Sequence, residues 1–214
     1  MPGKKAYASP PSKTPSRSRV RAPRMSAEAR KSQLLRSAIL AFSERGIGNA
    51  NHADVAGLAG VSVPTTFHYF PTSEHLIEDV LKEVHRFLIE EIVASHFDKD
   101  ISGVEAIEST LMQFCDAIDT HPAYIKIWLE WSVSIRGNIW EQYLTFYEHA
   151  QKAVKTILKR GVKDGSVKQD LDIDVSVRVV ISLAHMIAQM KFAHTSRKAI
   201  GKTVHSLVDG YLAN

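Results

Sequence analysis

Residues 51–75, NHADVAGLAGVSVPTTFHYFPTSEH, constrain this chain more than any other stretch. Asn51 stands three residues before Asp54 and opens the run HADVAGLAG. An asparagine side chain caps the first free amides of a helix, and an acid at the third position reaches back to the cap. Gly60 ends that helix, because glycine enters the left-handed conformation without steric cost. Ser62 is a second N-cap, and Pro64 falls in the first turn of the next helix, where its missing N–H is not needed. The spacing predicts two helices, 52–59 and 63–69, joined by a tight turn. A helix of about seven residues does not stand alone in water. A helix-turn-helix gives it a purpose, laying the second helix in the major groove of duplex DNA. Any αα-corner of a helical protein shares the pattern of caps, so the side chains must separate the two readings. Val63, Pro64, Thr65, Phe67, His68 and Tyr69 offer hydroxyl, imidazole, phenol and apolar surface, with no acid to repel phosphate.

The rest of the chain reads as helices. Ser26 and Glu28 suit a helix start, with Leu35, Ala38, Ile39 and Phe42 on one stripe and Gly46 and Gly48 at the end. After Pro71, Ser73 opens a long amphipathic helix with Leu76, Val80, Leu81, Val84, Leu88 and Ile92 inward. Residues 98–102 form a connector, and further helices are expected near 103–119, 122–135, 138–163, 172–194 and 196–212. No strand-like alternation of useful length and no internal repeat interrupts them. The fold class expected is all-α, with about nine helices. It divides into a basic arm (1–25), a three-helix DNA-binding domain containing the helix-turn-helix (26–75) and a helical regulatory and dimerisation domain (76–214).

The run AGVSVPTTFHYFPTSEHL at 59–76 resembles the signature of the TetR family of transcriptional regulators. That signature has Gly-Val-Ser, a short recognition helix ending in aromatics, then Pro/Ser/Thr and an acid opening a long helix. Phe42-Ser43-Glu44-Arg45-Gly46 matches the end of the helix that precedes it. YIKIWLEWSVSIRGNIWEQY at 124–143, with RGIG at 45–48 and HAD at 52–54, resembles the quorum-sensing master-regulator branch of the family. The resemblance runs from about residue 26 to the C-terminus. It implies a homodimer on a pseudo-palindromic operator, and no cofactor. The DNA-contacting residues expected are Asn51, His52, Ser62, Val63, Pro64, Thr65, Phe67, His68, Tyr69 and Ser73, with Arg17, Arg19, Arg21 and Arg24 of the arm.

Trp128, Trp131, Trp140, Tyr143, Phe146 and Tyr147 lie within twenty residues, and an aromatic stripe at helical spacing is usually core. The Tyr143 and Tyr147 hydroxyls and Gln151 recur at a spacing of four and so share a helix face, which favours a pocket. In the resembled branch the aligned positions line a regulatory cavity. That carry-over reaches Trp128, Tyr143, Tyr147 and Gln151, with Gln189 matching in type, and implies a small apolar or aromatic effector. At Tyr147 the branch usually has a smaller polar residue, so the pocket here is expected to be narrower or differently selective.

Charge is unevenly placed. Lys4, Lys5, Lys13, Arg17, Arg19, Arg21 and Arg24 stand in the first 24 residues with no acid, while the whole chain is only +4. The arm, rich in Pro and Ser, reads as disordered when free and suited to DNA phosphates or the minor groove; a solvated tail and a transit peptide are the alternatives. Cys115 is the single cysteine, so no intrachain disulfide forms, and a reducing cytoplasm fits. No uninterrupted run of about 18 apolar residues exists, so no segment is expected to span a membrane. Ten histidines raise the question of metal or acid–base chemistry, but no HExxH, CxxC, phosphate loop or nucleophile elbow is present. Glu130, between Leu129 and Trp131, is expected in a structural hydrogen bond or ion pair. A sequence-specific DNA-binding regulator that is not an enzyme is the reading. A ligand-independent architectural DNA-binding protein and an all-helical small-molecule carrier or enzyme are the alternatives.

Overall fold

Capping chemistry sets where the helices begin. The computed structural model describes residues 25–96, 100–135 and 137–214. Helix α1 (Ala27–Arg45) starts at Ser26, whose hydroxyl accepts the Ala29 amide at 3.1 Å. Helices α2 (His52–Ala59) and α3 (Val63–Tyr69) have the bounds expected from their caps. Asn51 and Asp54 form the reciprocal capping box, and Gly60 is left-handed at φ 65°. Helix α4 (Ser73–Arg86) is capped by Thr72 and runs on through a π-helical turn (Phe87–Val93) into a 3₁₀ turn (Ala94–His96). Helix α5 (Gly103–Thr120) opens on a Ser102–Glu105 capping box. Helices α6 (Pro122–Val133), α7 (Gly137–Asp164), α8 (Ile173–Phe192) and α9 (Arg197–Leu212) complete the chain. Among the described residues there is no strand, only an isolated antiparallel bridge between Val167 and Ala213.

Helix α1 packs on α2 and on α6, and α2 on α3, so the helix-turn-helix rests on the larger body through α1 and α4. The buried stripe of α1 is Leu34, Ala38, Ile39, Ala41 and Phe42; Leu35 is only half-buried, one residue off the expected face. Helix α5 lies between α7, α8 and α9. It meets α7 at two glycines: a Cβ on Gly103 would stand 2.3 Å from the Cα of Gly161. Only hydrogens fit there, and the approach lets Asp164 accept the Gly103 amide at 2.9 Å. The chain's largest fully buried side chain, Trp131, fills the core beneath α7 and donates its indole N–H to the Ile139 carbonyl at 2.8 Å.

One expectation needs correcting. Helix α8 is, by length and composition, apolar enough to cross a membrane. Its apolarity is spread over two faces. Val177, Val180 and Ile187 are buried against neighbouring helices, whereas Val175 and Val179 are 40% and 36% exposed. Leu207 on α9 is likewise 41% exposed. A helix that is apolar on two faces, one of them exposed here, reads as nearly uniformly apolar.

Candidate nucleic-acid interface and effector cavity

The two short helices are clamped together by buried polar groups. His52 is 3% exposed, and its Nε2–H donates to the Phe70 carbonyl at 2.7 Å across the turn. Its ring stacks on Phe67 at 3.9 Å, nearly parallel. Thr66, fully buried, donates its hydroxyl to the Val63 carbonyl at 2.7 Å and lies 3.3 Å from the His52 carbonyl. His52 was expected on the DNA; it is instead the pin that sets α3 against α2. Asn51 also has a structural task, its Oδ1 accepting the Ala53 and Asp54 amides. Thr66 was missed because its position among exposed neighbours carries no local sign of burial.

What remains facing outward on α3 is Val63, Pro64, Phe67 and His68, with Ser62 before it and Thr65 and Tyr69 half-buried. Ser62 occupies the N-cap position but makes no cap bond; its hydroxyl pairs with that of Thr65 at 2.8 Å. Ser73 is exposed at the first turn of α4, beside amides that suit a phosphate oxygen. No carboxylate stands on α3. Arg17, Arg19, Arg21 and Arg24 lie outside the described residues.

The expected effector residues separate. Trp128 and Tyr143 line an apolar cavity of about 80 Å³ together with Phe114, Phe146, Val180 and Ala184. Leu88, Ile89, Ile92 and Val93 of the π-helical turn close one side of it. Tyr147 instead lines an adjoining cleft with Trp140, Ser182 and His185. Gln151 opens on a polar surface cleft beside Lys152, Lys155, Asp174 and Arg178. Gln189 is exposed on α8 and is not among the cavity's lining residues. The cavity-lining aliphatic residues of α5, α8 and the π-helical turn went unread, since buried Leu, Ile and Val look alike in a sequence whether or not space adjoins them.

Two connections run from this cavity to the elements that flank the helix-turn-helix. The π-helical turn continues α4 without a break, so one wall is an extension of the helix that carries the helix-turn-helix. Trp128 shares α6 with Glu130, whose Oε1 accepts the Ile47 amide at 2.9 Å in the turn before α2. Gly46, at φ 89°, brings that turn so near that a Cβ there would lie 3.1 Å from the same oxygen. Glu130 thus has the structural hydrogen bond expected of it.

Two histidines in this body are held neutral. Burial lowers the pKa of His85, the nearby His149 lowers it further and Glu90 opposes both. Burial lowers that of His185, against a hydrogen bond to the Ile181 backbone. Folded values below the unfolded one mean that the unfolded chain binds more protons as the solution is acidified. The stability these rings confer is full above the ordinary value near 6.5 and is lost as pH falls through their folded values. Thermal unfolding followed from pH 7.5 to 5 should show a falling midpoint, and replacing both histidines by glutamine should flatten that fall. An unchanged slope in the double variant would refute the assignment.

The signature of the bacterial regulatory proteins of the tetR family matches residues 34–80, from mid-α1 to mid-α4. The transcriptional regulator LuxR of Vibrio harveyi is 31% identical over 189 residues, 88% of this chain and 90% of the relative. The chain belongs to the TetR family. As a TetR-family protein it is a transcriptional regulator rather than an enzyme, and the likeness to LuxR bears out the resemblance to the quorum-sensing branch. The repressor KstR2 of Mycolicibacterium smegmatis is 26% identical over 153 residues, 71% of this chain and 74% of the relative. KstR2 of Mycobacterium tuberculosis shares the TetR fold at TM-score 0.67 and 20% identity, covering 88% of this chain and 97% of that one. FadR of Bacillus subtilis, solved with stearoyl-CoA, does so at TM-score 0.70 and 18% identity, covering 83% and 96%.

Proposed function

We propose that this regulator binds a pseudo-palindromic operator as a homodimer in the cytoplasm, reads it with α3 and responds to a small apolar molecule in the cavity behind α6. The observation that carries the reading is the outward face of α3. Ser62, Val63, Pro64, Phe67 and His68 stand free of acid on a helix pinned from behind by His52 and Thr66. In this reading residues 26–75 are the DNA-binding domain, and 76–214 the regulatory and dimerisation domain. Val175, Val179 and Leu207 form the uncovered apolar face through which two copies would meet. A two-fold contact there would set two α3 helices roughly 34–36 Å apart, one turn of duplex. An effector would favour one spacing over another and so shift the population of DNA-competent dimers. The likeness to LuxR supports quorum sensing as the setting.

Positioning and reading separate on the DNA. Between residues 25 and 75, Arg30, Lys31, Arg36 and Arg45 balance Glu28, Glu44, Asp54 and Glu74. Long-range attraction therefore rests on the arm and on helix N-termini. Deleting residues 1–24 should weaken binding to every duplex and flatten its salt dependence by about 0.9 in log–log slope per lost phosphate contact. His68→Ala and Thr65→Ala should leave that slope nearly intact and reduce preference for the operator by roughly 1–3 kcal/mol per lost base contact. Tyr69→Phe should behave like the arm deletion. Salt titrations on operator and scrambled duplexes check all of these, and equal losses on both duplexes for His68→Ala and Thr65→Ala would mean that α3 does not read bases.

A further inference from the structure

We propose that His85 and His149 form a binding site for a divalent transition-metal ion of the zinc class, and that the bound ion, by tying α4 to α7, alters operator affinity. Neither histidine lines the cavity, and the site needs no effector.

His85 stands in the last turn of α4, and His149 midway along α7, sixty-four residues later in the chain. The Nε2 of His85 and the Nδ1 of His149 face each other at 3.1 Å, with ring centroids 5.0 Å apart. Two imidazole nitrogens on one tetrahedral zinc, at bonds of about 2.0–2.1 Å, stand about 3.3–3.4 Å apart. A shift of a few tenths of an ångström therefore turns the contact into a chelate. His85 is held for it, half-buried and edge-on to Phe146 at 5.4 Å. His149 is exposed and supplies the movement.

An N–H···N hydrogen bond has a similar length, so the setting must separate the two readings. Arg86, next to His85, faces three carboxylates: Glu83 at 2.7 Å, Glu91 at 3.0 Å and Glu90 at 3.5 Å. Lys152, beyond His149, is matched by Glu148 at 2.8 Å. One guanidinium against three carboxylates leaves the surroundings of the pair acidic, which favours a cation. Imidazole nitrogen selects zinc, copper and nickel over magnesium and calcium, which take oxygen. Among the described residues no third histidine, cysteine or carboxylate completes the site. Water fills the remaining positions from the exposed side of His149.

The consequence is mechanical. Helix α4 carries the helix-turn-helix, whereas α7 belongs to the larger body. The ion is held by both rings only in the arrangement that brings the two nitrogens together, and so adds population to that arrangement.

Zinc chloride, added to the full chain after chelator treatment, should raise the thermal midpoint saturably, and magnesium chloride should not. His149→Gln changes an exposed side chain and should weaken zinc by about a hundredfold, the lower end of what a linked second contact adds. His85→Gln should do the same. With ¹⁵N-labelled histidine, zinc should shift the Nε2 of His85 and the Nδ1 of His149 together. Zinc affinity unchanged in His149→Gln would overturn the site and leave the contact as a hydrogen bond; this variant decides even if His85→Gln folds poorly. Zinc should also change operator affinity about fivefold or more, the low end of a typical coupling, in the unaltered chain but not in His149→Gln. Zinc bound through both rings with operator affinity unmoved would overturn the effect on DNA while keeping the site.

Discussion

Gly103→Ala should lose at least about 3 kcal/mol of stability, the upper end of what overpacking usually costs. The added Cβ would stand 2.3 Å from the Gly161 Cα and 2.5 Å from its nitrogen. Both are backbone atoms in the last turn of α7, held by the helix's own hydrogen bonds, so neither moves without parting α5 from α7. The two helices support the cavity and most of the larger body, so the loss is global. For a chain of this size each kcal/mol lowers the unfolding midpoint by about 2–4 °C, which places the expected fall near 6–12 °C. Gly57→Ala is the opposite control. A Cβ there meets nothing within 4 Å on an exposed face of α2, and alanine should stabilise that helix by roughly 0.5–1 kcal/mol. Calorimetry at one protein concentration compares them. A Gly103→Ala midpoint at or above that of the unaltered chain would contradict the helix approach described.

The double substitution Val179→Lys with Leu207→Lys should give a monomer of 23.8 kDa, where the proposed dimer of the unaltered chain should sediment at twice that mass. On a two-fold interface each change appears twice, so four ammonium groups would lose water together without partners. Both positions are already 36% and 41% exposed in the single chain, so the monomer's own fold should be little affected. The larger consequence is on DNA. A monomer engages one half-site, and losing the linked second contact should weaken operator binding by roughly 10²- to 10⁴-fold. Sedimentation and operator titration of the same preparation test both parts. A variant that remains dimeric would place the interface elsewhere.

The sequence made the short helices legible to the residue because their limits are local. Asn51 caps amides two and three residues on, Gly60 turns the chain at its own position, and Pro64 fits a first turn that needs no amide from it. The site was less legible wherever partners are distant. His52 meets the Phe70 carbonyl eighteen residues on, and Ile47 meets Glu130 after eighty-three, so neither contact leaves a mark on its own neighbourhood. Of the expected effector residues, Trp128 and Tyr143 line the cavity, and the others part from it for a geometric reason. Four residues advance about 400° around a helix, some 40° past a full turn. Tyr143, Tyr147 and Gln151 therefore drift across α7 by about 80°, from the buried cavity to the adjoining cleft to the polar surface. Gln189 stands five residues beyond the cavity-lining Ala184, about 140° further round α8. The π-helical turn was unreadable for a related cause: FLIEEIV fits an ordinary helix, and its wider winding depends on what packs against it.

Selection of bound fragments from random duplex DNA by the full chain tests the central claim most directly. A homodimer reading bases through two α3 helices should recover an inverted repeat, with half-site centres one helical turn, about 10–10.5 base pairs, apart or a multiple of it. The His68→Ala variant should recover the same spacing with relaxed preference within each half-site. Fragments without a shared motif, or with an unpaired half-site, would contradict dimeric sequence reading by α3.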